Sequence, residues 1–158
     1  MRRKGRVCAF QVLYQLDVAG DLDTASADTV ATVLMRFWQS FESMGPEDQM
    51  HAERLAAGAV AARPDLDARI SAVSHNWRVA RMGKVDRNLL RLAAYEILYC
   101  PDIPRTASIN EAIEMAKQFG GGESPAFVNG ILDQLVPDKL GPRSEDDHID
   151  SAEVQGLA

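Results

Sequence analysis

Three observations predict an all-α fold for this chain of 158 residues. Apolar residues recur at three- and four-residue spacing in one segment after another, no stretch alternates apolar and polar residues at period two, and no glycine-rich loop follows a strand-like run. The pattern predicts about seven helices in a compact bundle of two small lobes sharing one core. Residues 1–141 form a single helical domain in this reading, and 142–158 form an acidic, disordered tail.

The first helix carries Val7, Phe10, Leu13 and Tyr14 on one face and should end near Gly20. Asp28 can cap a second helix whose face is Val30, Val33, Leu34, Phe37 and Trp38, with Phe41 following and Met44-Gly45-Pro46 as its stop. Pro46-Glu47 opens a third helix, with proline at the first position and an acid at the positive end of the dipole. It should run through Ala62 and break before Pro64, because a proline disfavours helix at the residue before it. Asp65 then caps a fourth helix through Ile70, Val73 and Trp77, and Arg81-Met82-Gly83-Lys84 reads as a short turn.

Residues 86–99 are apolar on nearly all sides, interrupted by Asn88, Arg91 and Glu96, so this is the central helix. Pro101 and Pro104 end it. Ser108 and Glu111 then read as a capping box, Gly120-Gly121-Gly122 as a helix stop, and Ser124-Pro125 as the start of a last helix bearing Phe127, Val128, Ile131, Leu132 and Leu135 before Pro137.

Composition narrows function. Lys plus Arg is 17 against 23 Asp plus Glu, and the net charge of -6 gives no global attraction to nucleic acid or anionic lipid. Any such binding must be local, and Arg2, Arg3, Lys4 and Arg6 stand together with no acid among them, directly before an apolar helical pattern that gives them a rigid base. Cys8 and Cys100 form no CxxC motif, and His51, His75 and His148 are far apart in sequence, so no metal site or other cofactor is expected. No stretch approaches the roughly 20 apolar residues that span a bilayer, and Gln11, Gln15 and Asp17 interrupt any leader-like run, so a soluble cytoplasmic protein is expected.

No nucleophile stands with a base, and Ser108 and Ser124 are accounted for as helix caps, so enzymatic activity is not expected. Cations at a helix start with a tyrosine further along suit single-stranded RNA, which is held by phosphate contacts and by bases stacked on aromatic rings. At about 100° per residue Arg6 and Tyr14 lie about 80° apart and can share a groove, while Gln11 at about 140° from Arg6 fits less well. Spacing leaves Tyr14 open between a half-buried core ring and a base platform. For Phe127 the packing reading is the stronger one, since Phe127, Ile131 and Leu135 recur at i, i+4 and i+8 as ordinary packing residues do.

These residues resemble the bacterial NusB family of transcription antitermination factors. Residues 6–14 look like its first helix and 85–96 like its central helix. Ile103-Pro104, Ile109-Asn110-Glu111-Ala112, Ala116-Lys117 and Phe127-Val128-Asn129-Gly130 follow in the family's order and spacing. The resemblance covers about residues 2–137 and implies a non-catalytic adaptor. Such an adaptor binds boxA-type single-stranded RNA of ribosomal RNA transcripts together with NusE, a small-subunit ribosomal protein, and reaches the RNA polymerase elongation complex through other Nus factors.

Carried over by position, the resemblance assigns Arg2, Arg3, Lys4, Arg6, Gln11, Tyr14, Phe127 and Asn129 to RNA, and Asp86, Arg105 and Glu123 to the protein partner. Ala126 stands where relatives often carry a lysine, and Arg105 adds a charge in the connection after Pro104. Two alternatives remain on sequence grounds. One is a helical protein-binding scaffold without RNA binding. The other is a detached RNA-binding module of an rRNA cytosine methyltransferase, which the lack of a following cofactor-binding domain disfavours.

Overall fold

A computed structural model describes residues 3–40, 44–75 and 77–135, and among them there are six α-helices and no strand. They are α1 (Arg3–Ala19), α2 (Ala27–Ser40), α3 (Pro46–Val73), α4 (Lys84–Tyr99), α5 (Arg105–Phe119) and α6 (Ser124–Leu135), with short 3₁₀ turns at Leu22–Thr24 and Val79–Arg81. Met1, Arg2, Phe41, the Pro137 stop and the acidic tail lie outside the described residues. Buried side chains from all six helices join one core, so the two expected lobes share it.

The count falls by one because α3 runs unbroken through Pro64, where the sequence predicts a break. Proline removes one helical N–H and crowds the preceding turn, at a cost of about 3 kcal/mol. Beyond it, Leu66 and Ile70 are fully buried on the same core as Ala56 and Ala59. Two such side chains contribute about 1.5–3 kcal/mol each, enough to offset the proline.

Helix ends divide between expected and corrected. Gly20, at φ 78°, closes α1. The Asp21 N–H donates to the Leu16 carbonyl at 2.9 Å and the Gly20 N–H to the Asp17 carbonyl at 3.1 Å, the paired bonds of a left-handed C-terminal cap. Pro46 opens α3 as predicted. Asp28, however, lies inside the first turn of α2. The cap is Ser26, whose Oγ accepts from the Thr29 N–H while Thr29 Oγ1 accepts from the Ser26 N–H. Likewise α5 begins at Arg105 behind Pro104, three residues ahead of the predicted cap Ser108. The fourth predicted helix stops at Val73, and Trp77, expected on its apolar face, is 53% exposed in the connection that follows.

Central α4 is covered by α1, α3, α5 and α6. Pairs between Arg6 and Glu96 and between Asp17 and Arg87 set α1 antiparallel to α4. Contacts of Arg3 with Glu111 and of Phe10 with Phe119 set α1 parallel to α5.

Candidate nucleic-acid interface on the first helix

Helix α1 presents two stripes at the same three-and-four spacing. Arg6, Phe10 and Leu13 face inward and are buried, with Asp17 below them in an ion-pair network. Lys4, Val7, Gln11, Tyr14 and Val18 form the outward stripe, with Tyr14 38% and Val18 55% exposed. The expected pairing is therefore reversed: Gln11 shares the face of Tyr14, and Arg6 leaves it.

Arg6 is 6% exposed, and its Nε and Nη2 each donate to Glu96 at 2.8 Å. Ser108 Oγ donates to the same carboxylate at 2.9 Å, and Arg6 Nη1 lies 3.9 Å from Glu111. A guanidinium held this way is not presented to a phosphate, so the phosphate role expected of Arg6 is replaced by a core ion pair. The capping box dissolves for the same reason, because Ser108 serves Glu96 and Glu111 serves arginines of α1.

Arg3 stays at the surface. Its Nε donates to Glu111 Oε1 at 3.0 Å and its Nη2 to Glu111 Oε2 at 2.8 Å, while half of the side chain remains exposed. The Arg3 hydrogen bond, joined by the charges of Arg3 and Arg6, holds the Glu111 carboxyl below its usual range against the opposing effect of burial. Beside this pair lies a hollow of about 240 Å³ lined by Arg3, Glu114, Met115, Lys117 and Gln118. Lys4 is exposed one residue further on.

From Tyr14 a line of rings leads across the molecule. The Tyr14 and Phe10 centroids are 6.0 Å apart, and Phe10 lies 5.1 Å from Phe119 at the end of α5. Gly120 then caps α5 and Ser124 starts α6, its Oγ accepting from the Gly121 N–H at 3.1 Å. Phe127 occupies the first turn of α6, half-buried and packed on the core, its N–H donating to the Glu123 carbonyl at 3.1 Å. Asn129 is half-buried two residues further along α6 and Ala126 is exposed. The structure thus brings Tyr14 toward the turn that carries Glu123 and Phe127.

The three expected partner residues do not form one patch. Asp86 is half-buried in the first turn of α4, its Oδ1 enclosed with no hydrogen-bond partner among the described residues. Arg105 is 6% exposed at the start of α5, beyond the other end of α4. At 1.5 Å per residue, the helix between them spans about 20 Å. Glu123 is exposed near the α5–α6 turn.

Sequence reasoning passed over a second polar network, around Asp17. Its carboxylate accepts from Arg87 Nε and Nη2, each at 2.6 Å, from Asn88 at 2.8 Å and from Arg91 at 3.2 Å, and Arg91 continues to Asp67 at 2.8 Å. Burial alone would raise the Asp17 pKa, but these donors outweigh it and hold the carboxyl below its usual range. The available signal was three polar residues, Asn88, Arg91 and Glu96, inside an otherwise apolar helix. Buried polar groups require partners.

Cys8 and Cys100 are buried thiols pushed up by desolvation to about 11 and about 12. Among the described residues no group of His, Cys, Asp and Glu could hold a metal ion, and no helix is long and apolar enough to cross a membrane.

Residues 3–137 match the profile of the NusB family. The chain is 46% identical over 148 residues to the transcription antitermination protein NusB of Geotalea uraniireducens, covering 87% of this chain and 97% of that protein. Its structure is similar to that of T. maritima NusB, with a TM-score of 0.75 and 32% identity over 95% of this chain and 97% of that one. A further likeness in fold, with a TM-score of 0.70 and 23% identity over 85% of this chain and 95% of that one, is to a chain in a structure of antitermination factors NusB and NusE in complex with dsRNA.

Proposed function

This chain belongs to the NusB family of transcription antitermination proteins, and from that premise we propose that it is a cytoplasmic adaptor that binds boxA-type single-stranded RNA together with NusE. It acts by binding and not by catalysis, and it reaches the RNA polymerase elongation complex through other Nus factors. The observation that carries this reading is the outward stripe of α1. Lys4 and Tyr14 are exposed on one face with the half-buried Gln11 between them, Arg3 stands beside it, and Phe10 and Phe119 connect it to the turn bearing Phe127.

Lys4 and the outer edge of Arg3 supply phosphate contacts, and Tyr14 supplies a base platform. Phe127 and Asn129 extend the surface across α6, and Asp86 and Glu123 face NusE. With Arg6 committed to the core, the electrostatic part of the affinity rests on fewer cations than the sequence suggests. Weak binding alone and tighter binding with the partner follow from that shortage. The match extends over nearly the whole length of a NusB relative, which favours this reading over a detached methyltransferase module.

Fluorescence anisotropy with a boxA-type RNA, with and without NusE, tests the proposal. Affinity should rise when NusE is added, and Tyr14→Ala should weaken RNA binding by about 1–3 kcal/mol, the usual worth of one stacked base. Equal affinity with and without NusE would reject the cooperative reading, and absence of RNA binding in both conditions would leave the protein-binding scaffold.

A further inference from the structure

We propose that the connection between α3 and α4 is a second contact for single-stranded nucleic acid, in which Trp77 stacks on a base and Arg78, Arg81 and Lys84 hold phosphates. The proposal rests on the RNA reading of α1 and lengthens that track past its C-terminal end.

From Ser74 to Val85 the sequence has these three cations and no acid, on a chain whose net charge is -6. Trp77 is 53% exposed, and Arg78, Arg81 and Lys84 are exposed beside it. Among the described residues none of the three cations enters an ion pair, whereas most of the other described cations do. Asp86, two residues past Lys84, bounds the patch on the α4 side.

The segment is held as a platform. Val79 and Met82 are buried at 4% and 6% exposure and pin it to the core. The Arg81 N–H donates to the Arg78 carbonyl at 2.9 Å, and the Met82 N–H to the Val79 carbonyl at 3.1 Å. Apolar side chains point in while the indole and the cations stay out. An exposed indole among cations that enter no ion pair is the combination that single-stranded nucleic-acid sites use.

Geometry joins this platform to α1. Arg87 Nη1 donates to the Ala80 carbonyl at 3.2 Å, and the same guanidinium grips Asp17 through two 2.6 Å bonds. Asp17 precedes Val18, the last exposed residue of the outward stripe, which lies one turn beyond Tyr14. The connection is thereby held at the C-terminal end of α1, the end toward which the stripe from Lys4 through Tyr14 runs.

The test measures anisotropy of a fluorescein-labelled, single-stranded boxA-type RNA across a salt series. It compares the unaltered protein, the triple variant R78A/R81A/K84A, Trp77→Ala, Trp77→Phe, and K4A/Y14A on the α1 face. Three phosphate contacts at about 0.7 each make the salt slope of the triple variant shallower by about 2. Trp77→Ala should bind about five- to a hundredfold more weakly, and Trp77→Phe should retain most of the affinity. Unlabelled RNA should quench tryptophan emission in the unaltered protein and not in Trp77→Phe, with melting temperatures unchanged throughout.

Unaltered affinity and slope in the loop variants, with K4A/Y14A weakened, would overturn this proposal and leave the α1 reading standing. The converse result would overturn the α1 reading and, with it, the proposal of a second contact on a track that begins there. Failure of the unaltered protein to bind RNA would overturn both. Loss of NusE capture by the loop variants at unchanged RNA affinity would assign the patch to the protein partner and overturn the proposal.

Discussion

Arg6 on α1 and Glu96 on α4 form a buried pair, with Nη2 2.8 Å from Oε1 and side chains only 8% and 2% exposed. Ser108 completes the carboxylate's hydrogen bonding from α5, so one residue from each of three helices meets at this point. Removing one member of such a pair leaves an uncompensated charge in the core and costs about 3–5 kcal/mol. Arg6→Ala should therefore lower the denaturant midpoint markedly while the RNA affinity of the folded fraction and its salt slope stay as they were. A shallower slope at unchanged stability would return Arg6 to the RNA surface.

Glu111 offers a test in which two effects have opposite signs. Removing an acid beside an RNA surface should favour binding on charge alone. Yet Glu111 takes Nε and Nη2 of Arg3 and fixes the direction of its outer edge, and a fixed side chain loses less freedom when it meets a phosphate. Glu111→Gln is expected to bind boxA-type RNA about two- to tenfold more weakly, the size of that ordering cost. In an Arg3→Ala background the same substitution should weaken binding no further. Tighter binding by the single variant would show that charge outweighs positioning.

Among the described residues helix existence is legible because apolar spacing reports burial directly, and it identifies α4 as the central helix. Helix ends were less so, since the same residue types serve other purposes. Ser108 and Glu111 carry the signature of a capping box, but their side chains answer to Glu96 on α4 and to Arg3 on α1, and no local pattern encodes a partner 108 residues away in sequence. Pro64 misled for a related reason: its local cost is readable, and the burial of Leu66 and Ile70 that offsets it is not. On α1 the spacing groups Arg6 with Tyr14, and the structure parts them, Tyr14 outward and Arg6 inward, because an angular separation of about 80° does not say which of two faces is covered. Trp77 was assigned to packing because its spacing continues α3, and only the stop at Val73 exposes it.

Gly58 on α3 and Tyr95 on α4 predict a steric coupling. A Cβ at position 58 would overlap the Tyr95 ring at Cζ and Oη, and that ring is stacked on Tyr99 with centroids 5.2 Å apart and planes 12° apart. The ring cannot move aside without giving up the stack. Gly58→Ala should destabilise by about 1–3 kcal/mol, the range for overpacking. Replacing the ring as well, in G58A/Y95L, should cost less than the sum of the two single changes, because contacting residues are not additive. Strict additivity in chemical denaturation would show that the two helices separate freely here.

Acid should weaken the fold through Asp17 and Glu111. Both carboxyls lie below their ordinary values of 3.8 and 4.5 in the folded protein, Asp17 because the donors of α4 outweigh its burial and Glu111 chiefly through Arg3. Above those ordinary values both groups are ionised, folded or unfolded, and their pairing contributes fully. As pH falls below them the unfolded chain takes up the protons first, so stability declines until the folded groups are protonated too. Denaturant midpoints should accordingly hold level from about pH 7 to 5 and drop below about 4.5. Asp17→Asn should start lower at neutral pH and fall less steeply in acid, since the proton it would have taken up no longer distinguishes the two states. A variant with the original acid slope would locate the sensitivity elsewhere, with Asp65, which Tyr99 and Arg69 also hold low, as the next group to replace.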